Sequence, residues 1–178
     1  MELDSETTDR IKVWANKLSQ TSGISVSRCL KVILWESANL VQLHLFSDAN
    51  IMALRVVAYL RVSDPLGNIS CRFIMGKARV APLKHVSVPC PKLSAAVLAI
   101  RFASTILAMI DFRVDGVYYW TDSTTVLRYI RNDQARCQTI VANCVSMIGD
   151  GSDQNEWRYV NTEWKTVNDA TRSKQSKG

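Results

Sequence analysis

Alternating apolar and polar positions dominate the middle of the chain and read as strands. Val41-Gln42-Leu43-His44-Leu45-Phe46-Ser47-Asp48 forms the first alternating run and ends in a carboxylate. Leu54 to Val62, rich in β-branched and aromatic residues, forms a second, and Ile69 to Val80 a third. Asp64-Pro65-Leu66-Gly67-Asn68 between the last two has the composition of a turn. Three strands on short connections imply an antiparallel meander. The period then changes. Leu93, Ala96, Val97, Ile100, Ala103, Leu107 and Ile110 recur at helical spacing, just after Pro89-Cys90-Pro91. Gly116 to Asp122 is a fourth strand that again ends in a carboxylate, and Ser123 is placed to cap a helix running to about Arg131. A helix over about Cys137 to Ile148, a loop over Gly149 to Asp153, a strand over Glu156 to Glu163 and a helical turn over 167–172 complete the pattern. Upstream, residues 8–20 suggest an amphipathic helix with Ile11, Trp14, Ala15 and Leu18 on one face, while 21–39 follow neither period. The order βββ-α-β-α-α-β-α suits an α/β fold with a mixed five-stranded sheet flanked by helices.

Composition narrows the class. The chain has 178 residues, 47% of them hydrophobic and 21% charged, which suits one packed domain and not a disordered chain. Lys plus Arg number 22 against 16 Asp plus Glu, and the formal charge of +6 favours an anionic partner such as nucleic acid. An ordinary basic soluble domain fits the same charge. The five cysteines form no C-x-x-C pair, and with two histidines a structural zinc site is not expected; free thiols in a reducing compartment are the simplest reading. The polar, acidic start is no secretory signal. The longest apolar candidate for a membrane span, Ala95 to Ile110, is interrupted by Arg101 and Ser104. Together these point to an intracellular, cytoplasmic setting without a membrane.

Two strand ends carry the candidate chemistry. If their strands are neighbours, Asp48 and Asp122 converge, and paired carboxylates with open water positions hold magnesium. An Asp after a strand also simply turns the chain. Lys77, Arg79, Lys84 and His85, with Arg72 nearby, would line a phosphate backbone or merely form a solvated face, and the same holds for Arg128, Arg131 and Arg136. Tyr118, Tyr119 and Trp120 offer stacking surfaces, but neighbours on a strand point to opposite faces, so most belong to the core. His44 lies in an apolar strand and reads as a packed histidine. Cys137 and Cys144 share a helix face as buried thiols.

These residues also resemble a known family. Leu43-His44-Leu45-Phe46-Ser47-Asp48-Ala49 is similar to the "LHxFSDAS" opening of the RNase H-like region of BEL/Pao retroelements, and Val57-Ala58-Tyr59-Leu60-Arg61 to its "VAYLR". Lys77-Ala78-Arg79-Val80-Ala81-Pro82-Leu83-Lys84 is close to "KSRVAPLK", and Ala95-Ala96-Val97-Leu98-Ala99 follows "ELxAAVLA". Trp120-Thr121-Asp122-Ser123 with Val126-Leu127 matches "WSDSxxVL", Val141-Ala142-Asn143 is similar to "FVANR", Trp157-Arg158-Tyr159-Val160 matches "WRYV", and Asp169-Ala170-Thr171-Arg172 resembles the closing "NPADxASR". The matches keep order and spacing from about residue 10 to 172.

The resemblance implies an RNase H-like domain over 40–172, an N-terminal extension over 1–39 that connects to an upstream reverse transcriptase segment of a polyprotein, and a disordered tail over 173–178. Met1 then falls mid-chain of a longer protein. It implies a nuclease that cuts RNA in RNA–DNA hybrids with two Mg²⁺ ions held by four acidic residues, with Lys77, Arg79, Lys84 and Arg128 as candidate nucleic-acid contacts. Position by position, the first acid is Asp48 and the third Asp122. The second, the Glu of "PRLELQAA", falls on Lys92; the fourth, the Asp of "NPAD", falls on Asn168; and the Gly of "AYGA" is Arg55. Four carboxylates carry a charge of about −4, whereas Asp48, Lys92, Asp122 and Asn168 carry about −1. The Lys92 ammonium is then expected between Asp48 and Asp122 in place of a metal. Mg²⁺ binding would be weak and catalysis lost, leaving a former nuclease or a nucleic-acid-binding or connection module. Asp169 would rescue the fourth position only if the terminal turn shifted by one residue, a rotation of roughly 100° on a helix. The family also bears the name Pao retrotransposon peptidase. An aspartic peptidase needs Asp-Ser/Thr-Gly, and Asp122-Ser123-Thr124 lacks the glycine, so this segment offers no peptidase site.

Overall fold

The structure, a computed structural model, describes residues 4–19, 38–50, 53–80, 89–131 and 139–161. The chain divides into two compact units, Met1–Val32 and Ile33–Gly178. In the first, α1 spans Ser5–Ser19. It starts three residues before the apolar periodicity because Asp4 caps it: the Asp4 Oδ1 accepts the Thr7 amide at 2.7 Å.

The second unit holds β1 (Leu40–Ala49), β2 (Ala53–Ser63), β3 (Ile69–Val80), α2 (Pro89–Met109), β4 (Gly116–Thr121), α3 (Thr124–Arg131), α4 (Thr139–Gly151), a 3₁₀ turn (Gln154–Glu156) and β5 (Trp157–Tyr159). The strands form one mixed sheet in the order β3-β2-β1-β4-β5. The meander β1-β2-β3 is antiparallel, and β4 joins β1, and β5 joins β4, in parallel. The turn between β2 and β3 is fixed by Asp64, whose Oδ1 accepts the amides of Leu66 (2.9 Å) and Asn68 (2.8 Å), while Gly67 takes φ +85°, open to glycine without strain. Hydrogen bonds, first from the Asn68 side chain, hold the Asp64 carboxyl below its usual range.

Alternation sets the core. Leu43 and Leu45 of β1 and Val56, Ala58 and Leu60 of β2 are fully buried, while their sequence neighbours are half-buried on the other face. Helix α2 packs on β1 and β2 and against α4. It starts at Pro89, four residues before the expected periodicity, so both prolines fall in the first turn, where no intrahelical N–H is lost. Its buried face also differs from expectation. Leu93, Ala96, Ile100 and Ala103 are buried as the spacing predicts, but so are Ala95, Leu98, Ala99, Phe102 and Ile106, whereas Leu107 is exposed and Val97 and Ile110 only partly covered. A helix covered on two sides, by the sheet and by α4, loses the single stripe that periodicity detects.

The same packing corrects the membrane argument. Pro91–Met109 is long and apolar enough to cross a membrane by length and composition, Arg101 notwithstanding, but half of it is buried inside the protein as a core helix. Helix α4 runs on through the expected loop to Gly151, where an added Cβ would stand 2.5 Å from the Cγ2 of Ile100; glycine is what lets α4 close on α2. Strand β5 is three residues long, not eight: the 3₁₀ turn capped by Asp153 keeps Glu156 out of its start, and its pairing ends at Tyr159 opposite Thr121, where β4 ends. Cys144 is half-buried and Cys71 exposed. Cys137, the helical turn at 167–172 and the tail at 173–178 lie outside the described residues.

Candidate active site

The parallel pairing of β1 and β4 brings the two carboxylates together. Phe46 pairs with Trp120 and Ser47 with Thr121, so Asp48 and Asp122, the latter just past the end of β4, come next along each chain segment. The Ser47 hydroxyl donates to the Trp120 carbonyl at 3.3 Å across this junction. Ser123 then caps α3, its Oγ accepting the Val126 amide at 3.2 Å, which turns the chain immediately after Asp122. Both acids are withdrawn from water, with side chains 10% (Asp48) and 7% (Asp122) exposed.

Between them lies Lys92, from the first turn of α2. Its Nζ is 2.6 Å from Asp122 Oδ1 and 3.4 Å from Asp48 Oδ1, and its side chain is 26% exposed. Two buried carboxylates facing one another repel; an ammonium between them removes most of that cost. A second cation stands nearby. Arg55 on β2 is the cross-strand partner of Asp48 and so shares its sheet face. Asp48, Asp122, Lys92 and Arg55 sum to zero formal charge. Among the described residues no group of three or more His, Cys, Asp or Glu side chains is placed to hold a metal ion. The donor set here, two carboxylates already bridged by an ammonium, does not fit a pair of divalent cations. Asn168 and Asp169 lie outside the described residues.

Upstream on the same two strands is a feature that alternation alone does not reveal. His44 stacks between Tyr118 (centroids 5.2 Å apart) and Trp120 (6.0 Å), and the Trp120 indole donates to His44 Nδ1 at 3.0 Å. The ring is therefore the Nε2–H tautomer, and its buried Nε2 has no partner among the described residues. Burial, and then the charge of Arg61, push its pKa down to about 4. His44 is a packed neutral histidine. Tyr119 is in the core, stacked on Trp157 at 4.9 Å, while Tyr118 and Trp120 lie half-buried on the opposite face.

The described basic residues lie towards two edges of the sheet. Lys77 and Arg79 are on β3, at one edge of the sheet. Arg128 is on α3, which packs on β4 and β5 towards the other edge; at ordinary strand spacing β3 and β4 are about 14 Å apart. Lys84 and His85 lie outside the described residues. Arg101 of α2, which the sequence pattern marked only as a break in an apolar run, lines a cleft together with Arg79.

Comparison with known proteins gives the following. The model of the Pao retrotransposon-like RNaseH-like domain matches residues 1–123. No curated protein matches the chain in sequence. Among solved structures the chain is similar to RNase H1 of the halophilic archaeon Halobacterium salinarum NRC-1, with 12% identity, 74% of this chain and 93% of that chain covered and a TM-score of 0.46. It is also similar to the N-terminal RNase H domain of Rv2228c from Mycobacterium tuberculosis (9%, 73% and 91% covered, 0.45). A third is the foamy viral protease–reverse transcriptase in complex with double-stranded DNA (12%, 94% and 30% covered, 0.45).

Proposed function

The chain belongs to the Pao retrotransposon-like RNaseH-like domain family, and from that premise we propose that it is a catalytically silent member whose metal position is held by its own lysine. One observation carries the reading: Lys92 Nζ bridges Asp122 and Asp48 at 2.6 and 3.4 Å. Hydrolysis of a phosphodiester by two metals needs open coordination positions between the carboxylates. Here those oxygens face an ammonium, and Arg55 opposite Asp48 lowers the pull on a further cation. An arriving Mg²⁺ would have to displace Lys92 and leave its charge beside the metal.

Nucleic acid remains the proposed partner class, because the family acts on RNA–DNA hybrids and the chain carries a net charge of +6. Binding without cutting is the expected behaviour, in a polyprotein setting downstream of a reverse transcriptase segment. The test is a cleavage assay on an RNA–DNA hybrid in Mg²⁺ and in Mn²⁺, paired with a binding measurement over a salt series. Salt-dependent binding with no cleavage supports the reading. Robust cleavage that is lost in Asp122→Asn overturns it.

A further inference from the structure

Among the described residues strand β3 is an edge of the sheet, and it is twelve residues long. Register with β2 shows which way its side chains point, because cross-strand partners share a face and β2 buries every second residue against the helices. Arg79 pairs with Leu54, Lys77 with Val56, Met75 with Ala58 and Arg72 with Leu60, all buried residues. The three cations of β3 therefore all project on the helix side. Lys77 Nζ lies 5.9 Å from the ring centre of Phe102 on α2, as that assignment requires. Ile69, Phe73 and Val80 pair with the outward residues Ser63, Tyr59 and Ala53 and project on the opposite side, 58%, 42% and 83% exposed. Phe73 meets Tyr59 edge-on at 5.7 Å.

On the helix side no acid among the described residues neutralises these cations. Strands β2 and β3 and helix α2 contain no Asp or Glu, and none of the ion pairs found among the described residues involves Arg72, Lys77, Arg79 or Arg101. Arg79 and Arg101 flank a cleft of about 180 Å³ floored by Leu54, Val97 and Leu98.

We propose that β3 is a docking edge for an extended segment of a partner protein, which adds as a sixth strand with acidic side chains towards α2 and apolar side chains towards Phe73. Three properties of the edge select this occupant. The outer backbone N–H and C=O groups of β3 call for main-chain partners. The helix side supplies Arg72, Lys77 and Arg79 for carboxylates, with Arg101 beyond them. The other side supplies exposed apolar area. A nucleic acid would meet the cations but leave the edge amides and Ile69, Phe73 and Val80 unmatched. A second copy pairing through its own β3 would bring like charges together across a two-fold axis.

The test uses the intact chain and three fluorescein-labelled short peptides: one alternating Glu and Val, its Lys and Val counterpart, and the Glu–Val peptide N-methylated at every second residue. Binding is read by fluorescence anisotropy, and amide hydrogen exchange locates it. The expected result is binding of the Glu–Val peptide alone, with exchange slowed in β3. Both N-methylation of the peptide and the double variant Lys77→Glu/Arg79→Glu should weaken it at least about tenfold. Equal binding of the N-methylated peptide would reduce the contact to charge and overturn the proposal. Protection of β3 by an RNA–DNA hybrid that displaces the peptide would overturn it in favour of nucleic acid. Self-association that buries β3, seen by light scattering, would overturn it in favour of a second copy.

Discussion

The two ends of the sheet's chemistry treat positive charge in opposite ways. At the β1–β4 junction two buried carboxylates draw Lys92 inward and are satisfied within the protein. At the β3 edge three cations share one face with no acid on the strands or helix around them. The first region fills the space between its own acids with its own cation. The second leaves three cations that no acid among the described residues meets. A cation beside converging acids is structural; a cation without them is available.

The contrast can be broken most sharply at Lys92. Replacing it with Glu puts three carboxylates together and should cost about 4 kcal/mol of stability in metal-free buffer. Part of that loss should return with Mg²⁺, by about 2.7 kcal/mol when the ion is at roughly a hundred times its Kd. Urea unfolding with and without Mg²⁺ checks both numbers. Lys92→Met removes the ammonium without adding an acid and should cost about 3 kcal/mol, because two buried carboxylates are left facing each other; thermal unfolding at neutral pH measures it.

Acid separates the halves further. His44, on β1, has its pKa pushed down to about 4 from 6.5 by burial. Between those pH values the unfolded chain binds a proton that the folded ring refuses, so this contribution is complete above pH 6.5 and is lost as the pH falls towards 4. His44→Gln should flatten that part of the stability curve. The smallest effect belongs to the β3 edge: Lys77→Gln with Arg79→Gln should change stability by no more than about 0.5 kcal/mol, since no acid among the described residues holds either one. A larger loss in chemical denaturation would mean that these cations are structural after all.

The strand pattern was legible because β1 and β2 bury every second residue, and Asp48 and Asp122 could be read as paired strand ends from position alone. The buried face of α2 was legible only in part: Leu93, Ala96, Ile100 and Ala103 are buried as read, but Ala95, Leu98, Phe102 and Ile106 are buried too, because the helix is covered from two directions. The length of β5 depends on one capping residue, Asp153, and on pairing with β4, neither of which alternation encodes. The arrangement of Lys92 followed from the resemblance by counting back from Ala95-Ala96, whereas the position of Arg55 opposite Asp48 required the register of β1 on β2. The division of the basic residues also needed the structure: Lys77 and Arg79 lie near Arg128 in no local sense, and only the strand order shows that they belong to different edges.

Calorimetric titration of the unmodified protein with Mg²⁺ addresses the bridging ammonium most directly. The expected result is no saturable heat in the millimolar range, with a binding isotherm emerging in Lys92→Glu. A pair of sub-millimolar sites in the unmodified protein, abolished by Asp122→Asn, would contradict it.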